Sequence, residues 1–145
     1  MTFSYFDSSI LLAIVLDEKK QEEAYNYWQN SIRVSSILLR IETVIALRRI
    51  HETNKHILAS VWLDEKTALL NDFLASVNYM VLNAKIEREI YARKELAQCR
   101  SLDAIHIASA LRFRGLAENE SMNFYTFDKA MHKLAEQYRF KTNRL

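Results

Sequence analysis

Short apolar segments alternate along this chain with longer stretches whose apolar residues recur at helical spacing. The first segment, residues 3–6, stops at Asp7, and an unbroken apolar helix is predicted over residues 8–16. Further strands are predicted over residues 33–36, 77–82, 122–126 and, at an edge, 138–142. Further helices are predicted over residues 21–30, 37–52, 60–74, 84–97, 101–113 and 129–137, with Gly115 ending the helix 101–113. The alternation predicts an α/β fold, a three-layer sandwich with a mainly parallel central sheet.

The composition narrows the class of protein. One Gly and no Pro in 145 residues predict a single helix-rich domain over residues 1–145. The net charge of +2 is too small to predict nucleic-acid binding by itself, and a lone cysteine, Cys99, excludes an internal disulfide. The start of the chain lacks a signal-peptide pattern, and its longest apolar run is too short to span a bilayer. We therefore expect a cytoplasmic protein without membrane attachment.

Four acids lie beside the ends of predicted strands or the starts of predicted helices: Asp7, Glu42, Asp103 and Asp128. Each has an ordinary explanation when it is taken alone. Asp7 and Asp128 would cap the helices that follow them. Asp103 would favour the dipole of its helix behind a Ser101 cap, and Glu42 would lie on a surface.

The four acids together predict more than capping. Asp7 and Asp128 follow predicted strands, and the carboxyl ends of parallel strands form the edge where ligands bind. Asp103 opens the most apolar helix, where an acid is costly unless it is paired, hydrogen-bonded or metal-bound. Carboxylates that meet at one edge repel one another, and Mg²⁺ relieves that repulsion with a few carboxylate oxygens and several waters. Such a site suits the hydrolysis of phosphodiesters.

The segments around these acids carry a family resemblance. In chain order they are YFDSSILL at 5–12, VSSILLRIET at 34–43, SLDAIHIASA at 101–110 and FYTFDK at 124–129, of which the third is the most specific. Their order and spacing resemble the PIN-domain nucleases, most closely the VapC-type toxins of bacterial toxin–antitoxin pairs, over essentially the whole chain. Two glycines frequent in that family are missing, one shortly before the third segment and one near residues 137–140.

The resemblance implies a metal-dependent endoribonuclease that acts as the toxin of a toxin–antitoxin pair. It implies that Mg²⁺ or Mn²⁺ is held by Asp7, Asp103 and Asp128, and that Glu42 completes the acidic cluster. It gives Ser9 and Thr126 the role of orienting a carboxylate or a metal-bound water, although helix capping explains Ser9 equally well. The implied partners are RNA, a small antitoxin protein and a second copy of the chain.

Other readings of the same residues stay open. A haloacid-dehalogenase-type phosphatase also begins with Asp after a first strand, but it needs another Asp two residues later, where this chain has Ser9. A PIN-like module that binds RNA or a partner without catalysis is the remaining alternative.

Residues outside the acidic set have weaker signals. Among the basic residues, Arg40 and Arg100 lie nearest the acidic segments and are the preferred candidates for phosphate contacts. His106 is expected to be structural, and His51, His56 and His132 have no evident partners in the sequence.

Overall fold

A five-stranded sheet in the order β3-β2-β1-β4-β5 forms the centre of the computed structural model of the protein, and every neighbouring pair of strands is parallel. The structure describes residues 1–118 and 121–145. The strands of this described part are β1 (Thr2–Phe6), β2 (Ser31–Ser36), β3 (Asn78–Met80), β4 (Asn123–Tyr125) and β5 (Lys141–Thr142). The sheet confirms the predicted α/β fold class with a parallel central sheet.

Helices cover both faces of this sheet. They are α1 (Ser8–Val15), α2 (Gln21–Gln29), α3 (Leu38–Thr53), α4 (Ser60–Leu74), α5 (Ala84–Tyr91), α6 (Ser101–Ala117) and α7 (Lys129–Gln137), with a 3₁₀ turn at Lys94–Gln98. Among the described residues, no helix has the length and apolar character needed to cross a membrane.

The central strand β1 places one large aromatic side chain in each of two apolar cores. Tyr5 packs with residues of α6 and α7, whereas Phe6 packs with residues of α1 to α4. Both side chains are fully buried, as expected for a strand covered on both faces. Because β1 lies between β2 and β4, the residue that follows it, Asp7, lies where the connections leave in opposite directions, the usual ligand-binding position of such sheets.

The helix predicted over residues 84–97 is wrong as a single element. The helix ends at Tyr91, and a separate 3₁₀ turn begins at Lys94 after Arg93, whose backbone is not helical (φ −131°, ψ 89°). The guanidinium of Arg93 pairs with Glu89 and also lies over the ring of Tyr138. The contact with Tyr138, which is distant in sequence, is not encoded by the local apolar spacing.

The predicted end of the 101–113 helix at Gly115 is also wrong. The helix continues to Ala117 and ends at Glu118, which adopts a left-handed conformation with a φ of 50°. Gly115 therefore lies inside the helix, where a Cβ would project into open space among the described residues.

Candidate active site

Asp7 is held at the carboxyl end of β1 by two hydroxyl groups. The Ser9 hydroxyl donates to Oδ1 and the Thr126 hydroxyl donates to Oδ2, each at 2.7 Å. The residue is only 2 % exposed, and burial raises the pKa of Asp7 to about 6 even though both hydroxyl bonds oppose the rise. Asp7 also occupies the N-cap position of α1 in an extended conformation, but its side chain makes no capping hydrogen bond, so the interpretation of Asp7 as a side-chain cap of that helix is wrong.

Ser9 and Thr126 are themselves anchored from the strand β4 side. Ser9 Oγ accepts the Phe127 N–H at 2.9 Å, and Thr126 Oγ1 accepts the Asp128 N–H at 3.0 Å. These bonds direct the hydroxyl hydrogens of both residues towards Asp7. The structure thus places Ser9 and Thr126 on the carboxylate, and the hydroxyl of Ser9 links two segments that are far apart in sequence.

Asn143 is a buried residue that sequence reasoning missed. Its Oδ1 accepts the Thr126 N–H at 3.0 Å and its Nδ2 donates to the Thr126 carbonyl at 2.9 Å. The side chain is buried, and His132 Nε2 lies 2.6 Å from the Asn143 carbonyl oxygen. The expectation that His132 has no partner is therefore wrong, since its ring joins α7 to the segment after β5. For Asn143 the sequence held no signal beyond a polar side chain after an edge strand.

Asp103 lies in the first turn of α6 and is partly exposed. Burial raises the pKa of Asp103, and the charge of Asp128 raises it further, with a smaller rise from Glu42. His106 and Arg100 act in the opposite direction. The helix begins directly after Arg100, so Ser101 is its first residue and not the expected cap. The charges of two other acids, Asp128 and Glu42, therefore act on Asp103.

Asp128 combines a structural contact with a position near Asp103. Its Oδ1 accepts the Met131 N–H at 2.8 Å, which caps α7 as the sequence predicts. Its charge acts on Asp103, as the raised pKa of that residue indicates. A helix cap and membership of an acidic group are therefore compatible in this residue.

Glu42 is joined to a histidine. Its Oε1 lies 2.5 Å from Nε2 of His106, and the side chains of Glu42 and His106 are 19 % and 1 % exposed. The Nδ1 atom of the same imidazole lies 2.7 Å from the hydroxyl of Tyr5. Glu42 therefore does not lie on a free surface.

The residues fit a divalent cation through a small number of protein ligands. Among residues 1–118 and 121–145, no three His, Cys, Asp or Glu side chains converge closely enough to hold a metal ion between them. Mg²⁺ in enzymes usually takes one or two carboxylates and keeps several waters. Burial is the largest cause of the raised pKa of Asp103, and the repulsion from Asp128 and Glu42 that adds to it is the kind of field that such a cation neutralises.

Arg40 and Arg100, the predicted candidates for phosphate contacts, are both exposed. The guanidinium of Arg40 lies 5.5 Å from the centre of the Tyr79 ring, next to the carboxyl end of β2. Arg100 precedes α6, and its charge acts on Asp103. Arg100 therefore lies near one of the four acids, whereas the contact that the structure gives Arg40 is with an aromatic ring.

Comparison with known proteins identifies the family. No curated protein matches the chain. A chain of the crystal structure of VapBC2 from Rickettsia felis, bound to a DNA fragment from their promoter, is similar in fold with a TM-score of 0.65 and 15 % sequence identity. The similarity covers 97 % of this chain and 97 % of that chain. The family model described as PIN domain matches residues 4–137, nearly the full length, and the chain therefore belongs to the PIN-domain family.

Proposed function

We propose that this protein is a metal-dependent endoribonuclease and acts as the toxin of a toxin–antitoxin pair. The observation that carries the proposal is the set of acids at the carboxyl edge of the sheet. Asp7 is buried at the end of β1, and the charges of Asp128 and Glu42 act on the partly exposed Asp103. PIN domains are in general metal-dependent nucleases, and an oxygen-rich, negatively charged site suits that chemistry.

The proposed mechanism assigns each side chain a task. The proposal assigns Asp7, Asp103 and Asp128 to the metal: one or two of these carboxylates would bind Mg²⁺ or Mn²⁺ directly and the others through its waters. The ion would supply an activated water and neutralise charge on the phosphate. Ser9 and Thr126 hold the two oxygens of Asp7 in fixed directions. Glu42 completes the acidic cluster. Arg40 and Arg100 would contact the phosphates that flank the cleaved bond.

The test is RNA cleavage by purified protein that has been separated from any antitoxin. We expect cleavage of single-stranded or looped RNA in Mg²⁺ or Mn²⁺, and loss of cleavage in EDTA. The matched control is Asp64→Asn, which removes an exposed acid of α4. Cleavage that continues undiminished in EDTA would reject the metal mechanism.

The proposed partners are a small antitoxin protein and a second copy of the chain in the cytoplasm. The similar chain from Rickettsia felis belongs to a VapBC2 complex, which supports an antitoxin partner. Light scattering at micromolar concentration is expected to give the mass of a dimer, and a monomer would reject the second copy. Co-expression with the product of the neighbouring gene is expected to yield a stable complex that does not cut RNA.

A PIN-like module without catalysis is the second candidate. It is favoured by the observation that no three acids of the described residues converge on one point. Titration of the protein with Mn²⁺ separates the two, because a module that has lost the chemistry would bind the ion no better than the Asp7→Asn variant does.

A further inference from the structure

A buried chain of hydrogen bonds connects the central strand to α3 through α6. The Ser36 N–H donates to the Tyr5 hydroxyl at 3.0 Å, and that hydroxyl lies 2.7 Å from Nδ1 of His106. On the other side of the ring, Nε2 of His106 lies 2.5 Å from Oε1 of Glu42. Tyr5 and His106 are 0 % and 1 % exposed, so water does not compete for these bonds.

The chemistry of the two ends fixes the direction of the chain. A backbone N–H can only donate, so the Tyr5 oxygen accepts from Ser36 and its own hydrogen is available to Nδ1 of the ring. A carboxylate can only accept, so Nε2 carries a hydrogen and donates it to Glu42. The neutral tautomer of His106 with its hydrogen on Nε2 therefore gives each of these hydrogen bonds one donor and one acceptor.

The Glu42 end of this chain of hydrogen bonds lies near the other acids. The charges of Glu42 and His106 both act on Asp103, so the bonded pair lies near the carboxylate that opens α6. A glutamate side chain has several rotatable bonds and loses about 1.5–2 kcal/mol of rotamer freedom when it is ordered. A hydrogen bond from a buried ring to its carboxylate offsets that loss before any ligand arrives.

We propose that His106 is a positioning residue that orients Glu42 towards the acidic site and is itself held in place by Tyr5. The proposal rests on the proposed function, because it assigns His106 a part in the metal-dependent site through Glu42. The ring acts on the geometry of another side chain and contacts no substrate.

Two substitutions at the same position separate orientation from packing. In His106→Gln the amide nitrogen reaches the place of Nε2 and still donates to Glu42. In His106→Asn the shorter amide reaches the place of Nδ1, so it keeps the Tyr5 contact and loses Glu42. His56→Asn, at an exposed histidine in the turn after α3, is the matched control.

Mn²⁺ affinity by titration calorimetry and RNA cleavage are measured on the same proteins. Loss of a residue that orients a metal-site group costs about 10- to 100-fold in metal affinity or activity, and we expect that loss in His106→Asn. His106→Gln is expected to keep most of both. The double variant Glu42→Ala with His106→Asn should be no weaker than Glu42→Ala alone, because both changes remove one interaction. Equal losses in the Gln and Asn variants, or additive losses in the double variant, would overturn the proposal.

Nitrogen NMR of the imidazole in metal-free protein tests the geometry without any activity. We expect a hydrogen on Nε2, whose signal shifts in Glu42→Ala and stays in place in Glu52→Ala, an exposed acid of the same helix. A parent protein that neither binds Mn²⁺ nor cuts RNA would reject the proposed function. The imidazole signals then decide alone: a shift confined to Glu42→Ala supports orientation of Glu42 by His106, and an unmoved Nε2 signal overturns it.

Discussion

Asp7 and Asp103 lie at the same edge of the sheet, yet their surroundings differ in kind. Asp7 is buried, and each of its oxygens accepts a hydroxyl hydrogen that backbone N–H groups hold in direction. Asp103 is partly exposed, and the neighbours with the largest charge effect are Asp128 and the pair of His106 and Glu42. One carboxylate is fixed by hydrogen bonds, whereas the other is left in a negative field.

The difference shows how a fold can prepare an acidic site at a limited cost in stability. The buried side supplies rigidity, since a carboxylate with two short bonds has little freedom to rotate. The exposed side supplies the unbalanced charge that would attract a cation in the proposed site, and water screens this charge enough for the metal-free protein to remain folded. Burial is the main cause of the raised pKa in both residues, and in Asp103 the charges of Asp128 and Glu42 add to it.

The largest expected effect comes from neutralising either acid. Asp7→Asn and Asp103→Asn should abolish cleavage and leave the metal-free protein equally or more stable at pH 7. Asp7→Asn removes a charge whose burial is costly, although one of the two hydroxyls loses its acceptor at about 1 kcal/mol. Asp103→Asn relieves repulsion from Asp128. Cleavage assays and melts in EDTA measure both effects, and variants that melt far below the parent yet still cut RNA would show that these acids are structural.

The pH dependence of stability tests the burial of Asp7 separately from the charges around Asp103. The pKa of Asp7 in the folded protein is about 6, above its ordinary value of 3.8, so the folded state binds the proton more tightly than the unfolded state does. The loss of stability caused by the buried Asp7 charge is absent when the pH is below the ordinary pKa. It grows as the pH rises from about 4 to 6 and is complete above that range. The stability of Asp7→Asn relative to the parent should therefore rise across this window. A difference that stays constant from pH 4 to pH 7 would contradict the burial argument.

Asn143→Ala should produce the largest loss of stability among the variants on the buried side. It leaves the buried N–H and carbonyl of Thr126 without their partners, at about 1–3 kcal/mol for each unsatisfied group. Cleavage should fall as well, because Thr126 positions Asp7. Urea unfolding and cleavage are compared with Asn54→Ala, whose amide bonds the end of its own helix. If the two variants behave alike, Asn143 has no special connection to the site.

Asp128→Ala tests whether a helix cap and a role in the site coincide. The substitution should cost about 1 kcal/mol through loss of the cap and should also reduce cleavage. Asn83→Ala removes the side-chain cap of α5, which accepts the N–H groups of Lys85 and Ile86, and should cost a similar free energy while cleavage remains normal. Thermal melts and cleavage rates are compared for both variants. Normal cleavage by Asp128→Ala would show that Asp128 is a helix cap and has no role in the site.

The smallest expected effect is a gain in stability. Gly115→Ala on α6 should raise the free energy of unfolding by about 0.5–1 kcal/mol, because alanine restricts the unfolded chain and its Cβ meets open space. The position is remote from Asp103 on the same helix, so cleavage should not change. A change in cleavage would mean that the stability of α6 itself, and not the local field, controls Asp103.

Local patterns predicted the parts of the molecule that depend on neighbours in sequence. The helices at Ser60–Leu74 and Lys129–Gln137 have the predicted bounds, and Asp7 and Asp128 lie near strand ends because the apolar segments stop there. The pairing of Glu42 with His106 joins residues 64 positions apart, and the Asn143 bonds depend on where β5 joins the sheet. No local spacing encodes such contacts.

One of the glycines frequent in the family is missing near residues 137–140, and the structure shows how the backbone turns there without it. Arg139 adopts a φ of 66° close to where the family often has glycine, so the backbone keeps a left-handed turn despite the side chain. Such a conformation costs a non-glycine residue on the order of 1–3 kcal/mol and persists only where surrounding contacts impose it. The turn is the end of α7, where the Phe140 N–H donates to the Ala135 carbonyl and the Arg139 N–H donates to the Glu136 carbonyl, as at helix ends that usually have glycine.

The pairing of the first strand with β4 has a consequence for how the chain folds. Tyr5 pairs with Val34 on one side and with Phe124, near the other end of the chain, on the other side. Closing that second, much longer loop has the larger entropic cost, so we expect β1 to find β2 well before it finds β4. Ser9 and Thr126 meet only when the second pairing is complete. The acidic edge is therefore assembled late in folding, and partly folded chains lack it.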